Sequence, residues 1–283
     1  MGERKVVVQE QECSDIRHDV IQVNRSAIYE GHLVLINQKN PIKKQVSYSK
    51  LAAISSAAPI RELHQGILLE DTCLKQLVEL IGDCEGMDDI IAVSGYRTKE
   101  EQEHIYESSL VENGAEYTAC YVALPGQSEH HTGLAIDVGK RDSEIDFIAP
   151  SFPDSGVFKV FKSFAAQYGF IQRYKADKES ITGISCEPWH FRYLGAPHAE
   201  IMEQRDMCLE EYIDFIETFH FEGKHLRYET VTHIVEIYYV PAEDGPYTTV
   251  PIISGDHFTL SGTNRDGFIV TVFTRKGQKI YGI

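Results

Sequence analysis

The stretch Ser128-Glu129-His130-His131-Thr132-Gly133-Leu134-Ala135-Ile136-Asp137 carries two histidines, a glycine and an aspartate that closes an apolar run. Leu134 to Gly139 reads as a buried strand interrupted by one charge, and a lone buried carboxylate is strongly unfavourable unless it is paired or bound to a metal. Asp137 therefore needs a compensating partner. His130 lies seven residues earlier, an odd separation that sends two side chains to opposite faces of one straight strand. Thr132-Gly133 can break the strand, so that a turn returns the imidazole over the carboxylate. Two ligands of a zinc ion can be arranged in this way. A catalytic zinc takes three protein ligands and keeps one position open, and Glu187-Pro188-Trp189-His190-Phe191-Arg192-Tyr193 supplies His190 on a second, aromatic strand-like run. Glu187, held at a bend by Pro188, can sit beside the metal as a general base without ligating it. The residue types alone leave two other readings open: a buried Asp can pair with an Arg, and a strand His can satisfy a hydrogen bond in the core.

Composition bounds what such a site can serve. The 283 residues are 42% hydrophobic and 25% charged, enough for one large core or a core with a small appendage. With 27 Lys and Arg against 43 Asp and Glu, the net charge is −16, which repels phosphate backbones and anionic lipid. Nucleic acid is thereby set aside as a partner. No apolar run reaches the roughly 18 residues that cross a bilayer, and the opening MGERKVVVQEQECSD lacks the apolar segment of a signal peptide. A cytoplasmic location is expected, with an extracellular or membrane-anchored one as the alternative if an export segment has been removed. Cys13, Cys73, Cys84, Cys120, Cys186 and Cys208 fall at irregular intervals without a C-x-x-C pair, which suits reduced thiols rather than a disulfide scaffold. Cys186, although close to a histidine, reads as a small hydrophobe before it reads as a nucleophile.

Periodicity places these residues on elements. Gly31 to Asn37 is an apolar run closed by Asn40-Pro41 and predicts a strand with its turn. Apolar residues at helical spacing follow Asp71-Thr72, whose side chains offer a cap, over 71–81. Ile90 to Ser94 predicts a buried strand, and Thr98-Lys99-Glu100-Glu101-Gln102 predicts a helix start with acids where the dipole favours them. Gly95-Tyr96-Arg97 then lies at a strand-to-helix junction. Further helices are expected over 157–168, stopped by Gly169, and over about 199–219. From Tyr228 onward β-branched and aromatic runs alternate with turn residues, as a small antiparallel sheet requires. The expected organisation is a first domain over 1–219, with its core at about 30–200, and a small β-rich domain over 220–283. The histidines of that second domain, His220, His225, His233 and His257, read as ordinary side chains.

The motifs S-x-H-x-x-G-x-A-x-D (Ser128 to Asp137) and E-x-W-H-x-R-Y (Glu187 to Tyr193), with Ser94-Gly95-Tyr96-Arg97 and Gln102, resemble the zinc D-Ala-D-Ala peptidases of the VanY and VanXY type. That group lies within a wider family that includes L,D-carboxypeptidases of cell-wall recycling. The similarity covers about residues 30–200 and departs from the pattern at no functional position. It implies an α+β fold with a central antiparallel sheet carrying a zinc site and flanked by helices. It implies that His130, Asp137 and His190 bind Zn²⁺, with His131 beside the ligand rather than one itself. Glu187 would take a proton from the attacking water and pass it to the leaving amine. Arg97 would stabilise the oxyanion or grip a substrate carboxylate, Ser128 and Gln102 would hydrogen-bond that carboxylate, and Tyr96 would line the pocket. The implied substrate is the free D-Ala-D-Ala dipeptide, a peptidoglycan precursor ending in it, or both, in a setting of glycopeptide resistance. The alternatives are an L,D-carboxypeptidase of tetrapeptides and a noncatalytic zinc-binding module of the same fold, and an intact Glu187 and Arg97 argue against the latter.

Overall fold

The computed structural model describes residues 11–12, 17–57 and 59–277, so Cys13 lies outside the described residues. Its strands in chain order are β1 (Gln11–Glu12), β2 (His18–Asn24), β3 (Leu51–Ala53), β4 (Arg61–Glu62), β5 (Leu68–Glu70), β6 (Ile90–Ser94) and β7 (Ala135–Lys140). They continue as β8 (Phe170–Tyr174), β9 (Glu187–Tyr193), β10 (Lys224–Glu229), β11 (His233–Pro241), β12 (Tyr247–Ile253), β13 (His257–Gly262) and β14 (Gly267–Arg275). The helices are α1 (Ile54–Ala57), α2 (Asp71–Asp83), α3 (Lys99–Tyr121), α4 (Gly156–Phe164), α5 (Glu179–Thr182), α6 (His198–Arg205) and α7 (Leu209–Ile216). The fold is of mixed α and β class, with several sheets.

Two compact units emerge, one of residues 36–210 and one that joins the described residues up to Leu35 to those from Glu211 onward. This differs from a simple division at residue 220. The opening stretch joins the C-terminal strands because β2 pairs along its whole length with β12, from His18↔Ile253 to Asn24↔Tyr247. Composition read along the chain has no means of seeing that pairing.

In the unit of residues 36–210, a five-stranded sheet runs in the order β4-β6-β7-β9-β8, antiparallel except for the short parallel pair β4/β6. Its apolar face carries Ala92, Ile136, Val138 and Phe191, which share one core with Leu74, Leu77, Leu80 and Ile81 of α2 and Phe158 and Phe161 of α4. The α2 residues recur at 3, 3 and 1 positions, a stripe on one helical face. Phe191 meets Phe161 edge-on at 4.9 Å and Phe152 at 5.8 Å. Each such buried side chain contributes roughly 1.5–3 kcal/mol.

The helix ends show which local signals operate. Glu70, not Asp71 or Thr72, caps α2, accepting from the Thr72 and Cys73 amides at 2.8 and 3.0 Å. Thr98 and Glu101 form a reciprocal capping box on α3. The helix expected over 157–168 is α4 followed by a 3₁₀ turn, Ala165–Tyr168, that stops at left-handed Gly169. The single helix expected over 199–219 is two, because Asp206 adopts φ 51° between α6 and α7. Gly31 to Asn37 forms no strand. Its apolar side chains are buried, and its backbone is satisfied irregularly: the Leu33 amide donates to Ser261 Oγ, the Leu35 amide to Thr263 O, and Asn264 to Leu35 O.

The other unit holds a sheet of order β1-β10-β11-β14-β13 and the ribbon β2–β12. Its core joins Val23 and Ile28 to Tyr238, Val240, Val250, Phe268 and Val270. Its histidines are engaged in packing, His225 stacking on Tyr238 at 4.4 Å and His257 on Phe273 at 4.4 Å.

Candidate metal centre and active site

Three neighbouring strands bring the central groups together by register alone. Ser94 of β6 lies opposite Asp137 of β7, which lies opposite His190 of β9. Directly opposed residues on an antiparallel ladder project from the same face about 5 Å apart, so Asp137 and His190 meet without any loop. His130 arrives by a different route. Glu129–Thr132 is a 3₁₀ turn that closes on Gly133 at φ 71°, a conformation that disfavours any residue with a Cβ. The turn returns His130 over the strand, with Nε2 3.1 Å from Asp137 Oδ2.

A strand irregularity supplies Glu187. Gln172↔Phe191 on β8/β9 would place Tyr174 opposite Trp189, but Tyr174 pairs with Glu187. Two extra residues in β9 form a bulge, which re-aims side chains. Beside this irregularity Glu187, three residues before His190, brings its Oε2 to 3.6 Å from His190 Nδ1. Trp189 stands in the wall of the same cavity, which Arg97, Gln102 and Ser128 also line.

Arg97 is the most heavily bonded of these residues. Its Nε donates to Ser94 Oγ at 2.7 Å, Nη1 to Gln102 Oε1 at 3.1 Å and Nη2 to Asp137 Oδ2 at 2.7 Å, with Nη2 also 3.0 Å from His130 Nε2. Gln102 is buried and holds Arg97 with one end while donating to Ala123 O at 2.8 Å with the other. Tyr96 is not among the residues lining the cavity and meets Tyr48 edge-on at 5.6 Å. His131 is committed to the backbone, its Nδ1 2.8 Å from Arg97 O and its Nε2 accepting from the Gly126 amide at 3.0 Å. Cys186 is half-buried and burial pushes its thiol up, opposite to what a nucleophile needs.

Burial and neighbouring charge pull the titratable groups apart. Burial raises the Glu187 carboxyl to about 8. Burial and Arg97 lower His130 to about 4, whereas His190, which burial alone would lower, is raised to about 9 by Asp137. Asp137 is held well below the carboxylate range, because the two histidines outweigh its burial. Perturbation of this kind concentrates at functional sites.

The donor set fits a metal ion. One atom each from His130, Asp137 and His190 lie within 4.8 Å of one another, and no other group of three such residues was found among the described residues. His130 Nδ1 is 2.7 Å from Gly95 O, which fixes the proton there and turns the Nε2 lone pair toward Asp137. His190 Nδ1 and Asp137 Oδ1 approach to 2.9 Å, yet Oδ1 has no hydrogen bond. Two lone pairs facing one point describe ligands better than a hydrogen-bonded pair, and mixed imidazole and carboxylate donors suit zinc.

Sequence reasoning missed a buried cluster behind His190. Glu129, Arg173 and Arg192 have side chains fully removed from solvent, and Glu129 Oε1 accepts from Arg173 Nε at 2.9 Å and Arg192 Nη1 at 2.8 Å. Burial alone would raise Glu129, but Arg173 and Arg192 outweigh it and hold the carboxyl far below its ordinary value. The available signal was Glu129 itself, a charge inside a motif otherwise read as buried.

Comparison with known proteins gives a consistent set of likenesses. A family model described as VanY, D-alanyl-D-alanine carboxypeptidase, matches residues 66–196. The chain is 44% identical to the bifunctional D-Ala-D-Ala dipeptidase and carboxypeptidase VanXYC of Enterococcus gallinarum, over 65% of this chain and 94% of that one. The crystal structure of the vancomycin resistance D,D-dipeptidase VanXYg with a D-Ala-D-Ala phosphinate analog superposes with a TM-score of 0.84 at 40% identity, covering 91% of this chain and 99% of the other. A VanY D,D-pentapeptidase from the VanB-type resistance cassette, in complex with Zn(II), gives a TM-score of 0.52 at 30% identity, covering 65% of this chain and 99% of that one.

Proposed function

We infer the activity from two premises: the chain belongs to the VanY-type D-alanyl-D-alanine carboxypeptidase family, and His130, Asp137, His190 and Glu187 converge in one buried cavity. The chain is a peptidase acting on D-Ala-D-Ala: it splits the free dipeptide, removes the terminal D-Ala of peptidoglycan precursors, or does both, in the setting of vancomycin resistance for which VanXYg is named. The observation that carries this reading is the placement of Glu187 beside three metal-type donors without being one of them, since a binding module has no use for a base there. We assign His130 Nε2, Asp137 and His190 Nδ1 as zinc ligands. When bound, zinc supplies Lewis acidity at the scissile carbonyl and makes an attacking water acidic enough to ionise near neutral pH.

The rest falls to the protein's own side chains. Glu187 takes the proton of the attacking water on its carboxylate and delivers it to the leaving amine. Arg97 supplies a permanent charge and a fork of donors for the developing oxyanion or the substrate carboxylate, and Ser94 and Gln102 hold its guanidinium in place. Ser128, buried at the cavity wall, offers a hydroxyl to the same carboxylate, and Gln102 can use the amide hydrogen not given to Ala123. Tyr96, which meets Tyr48 edge-on and is not among the residues lining the cavity, is assigned a more distant part in substrate binding. The substrate's negative charge is met by this local positive charge rather than by the molecule at large, whose net charge is −16. No helix among the described residues is long and apolar enough to cross a membrane. We favour a cytoplasmic location because all five described cysteines are free thiols.

The decisive assay is D-Ala release, with and without a chelator, from free D-Ala-D-Ala, from a precursor pentapeptide ending in it, and from a tetrapeptide ending in a single D-Ala. Chelator-sensitive release from the first two is expected, and their ratio separates dipeptidase from carboxypeptidase. Release from the tetrapeptide alone reassigns the protein as an L,D-carboxypeptidase. No release from any of them, with zinc bound, overturns the peptidase reading.

A further inference from the structure

We infer that Glu129 is a positioning residue that orients His190 as a metal ligand by accepting the proton on its Nε2, an inference that rests on the zinc-site reading above. Two buried atoms in this region make no hydrogen bond of ordinary geometry, Glu129 Oε2 and His190 Nε2. They face each other at 3.5 Å. Nδ1 of the same ring is turned toward Asp137 Oδ1, so an imidazole that gives its Nδ1 lone pair to a metal must carry its proton on Nε2. The nearby carboxylate oxygen is the acceptor that this proton requires.

The carboxylate cannot turn away. Its Oε1 is held by Arg173 and Arg192 at 2.9 and 2.8 Å, and Arg173 is itself gripped by Glu210, with Nη1 and Nη2 at 2.9 and 2.7 Å from the two carboxylate oxygens. Arg192 lies two residues beyond His190 on β9, hence on the same face, and Glu129 immediately precedes His130 in the chain. One short segment thus supplies a ligand with His130 and supports the second histidine ligand, His190, with Glu129. Glu129 and Glu210 face Arg173 and Arg192 here, opposite charges that offset one another's desolvation. A purely charge-balancing part for Glu129 accounts for Oε1 only. It leaves Oε2 buried without a hydrogen bond, 3.5 Å from His190 Nε2, a costly arrangement for an ionised oxygen.

Histidine ligands whose second nitrogen donates to a carboxylate are fixed in tautomer and made more basic, and loss of such a partner weakens metal binding about 10–100-fold. The test is the zinc dissociation constant, measured by chelator competition, for the wild type, Glu129→Gln and Glu210→Gln, each checked for native circular dichroism. Glu129→Gln is expected to weaken zinc about 10–100-fold, whereas Glu210→Gln, which removes a charge from the same cluster without touching His190, stays within a few-fold. A folded Glu129→Gln protein with wild-type zinc affinity, or an equal loss in both variants, overturns the inference. A second measurement covers the case in which Glu129→Gln does not fold: ¹⁵N-histidine NMR of zinc-loaded wild type. His190 metallated at Nδ1 with a slowly exchanging Nε2 proton supports the inference, and metallation at Nε2 or a freely exchanging proton rejects it. Failure of the wild type to bind zinc at all would instead strike the zinc-site reading, so the two failures remain distinct.

Discussion

At the scale of single residues, the assignment separates holding the metal from using it. Glu187→Ala removes the proton carrier and leaves all three donors in place. It should bind zinc normally and lose roughly 10²–10⁴-fold in kcat, the usual contribution of general acid–base catalysis. His130→Ala should lose the zinc itself, which metal analysis of the purified proteins would show. If Glu187→Ala kept full turnover, the base would have to be sought elsewhere. The metal-free protein carries a second signature. Burial raises Glu187 to about 8 from 4.5, and Asp137 raises His190 to about 9 from 6.5 against the opposing effect of its burial. Between about pH 6.5 and 8 the folded state therefore keeps protons that the unfolded chain has released, so stability falls as pH rises. His130, lowered to about 4, acts in the opposite direction only below its ordinary 6.5. Chelated protein should lose melting temperature across that window, Glu187→Gln should reduce the slope, and zinc should flatten it by favouring the deprotonated ligands. The four residues on which these predictions rest were legible because their motifs are local and the residue types have few uses at such spacing. Glu129, Arg173 and Arg192 were not, because their roles depend on which strands lie side by side, and no local pattern states that.

At the scale of elements, the site depends on two departures from regular structure, the left-handed Gly133 and the bulge in β9. An alanine at residue 133 meets a left-handed penalty of roughly 1–2 kcal/mol, and its Cβ would lie 2.7 Å from Leu51 Cδ2 and 3.2 Å from the Glu70 amide nitrogen. The side chain of Leu51 can give way, but the backbone of Glu70, whose amide donates to Gly133 O at 2.9 Å, cannot do so cheaply. Gly133→Ala should lower the unfolding free energy by at least this amount and weaken zinc as well, since the turn is what returns His130 to Asp137. Calorimetry with and without zinc separates the two effects. A variant with intact zinc affinity would show that the turn tolerates the change and that the metal alone draws His130 into place. The need for a turn at Thr132-Gly133 could be read from the odd spacing of His130 and Asp137. Of the bulge only the bend at Pro188 could be read; the pairing of Tyr174 with Glu187 that defines it depends on the neighbouring strand. The same limit explains the misread helix over 199–219: Asp206 breaks it with a positive φ, which Asp adopts only occasionally and a Gly there would have advertised. It also explains Gly31–Asn37, where apolar residues signal burial correctly and regular pairing incorrectly.

At the scale of the whole molecule, the chain's two ends belong to one unit and its middle to another, and this changes how the β-rich part has to be tested. Ending the chain at residue 219 removes β12, the partner of β2 along its whole length, and removes Tyr238, Val240, Val250, Phe268 and Val270, against which Val23 and Ile28 pack. Such a protein keeps the N-terminal stretch as exposed apolar surface and an unpaired strand edge, the combination that promotes aggregation. A chain of residues 36–210 leaves out both halves of that core together. It retains the metal donors, Glu187, Arg97, the Glu129–Arg173–Glu210 cluster and a core of its own from Ile54 to Tyr193. The expected result is that 1–219 precipitates or binds hydrophobic dye, while 36–210 remains monodisperse, binds zinc and releases D-Ala at a rate close to that of the full chain. Turnover at the full rate would assign the β-rich unit to a purpose other than the chemistry, such as binding wall polymer or a partner chain, and pull-down on isolated peptidoglycan would then be its assay. A folded, zinc-loaded 36–210 protein with little turnover would mean the opposite, that the unit formed by the two chain ends contributes to the reaction even though it carries none of the residues assigned to it.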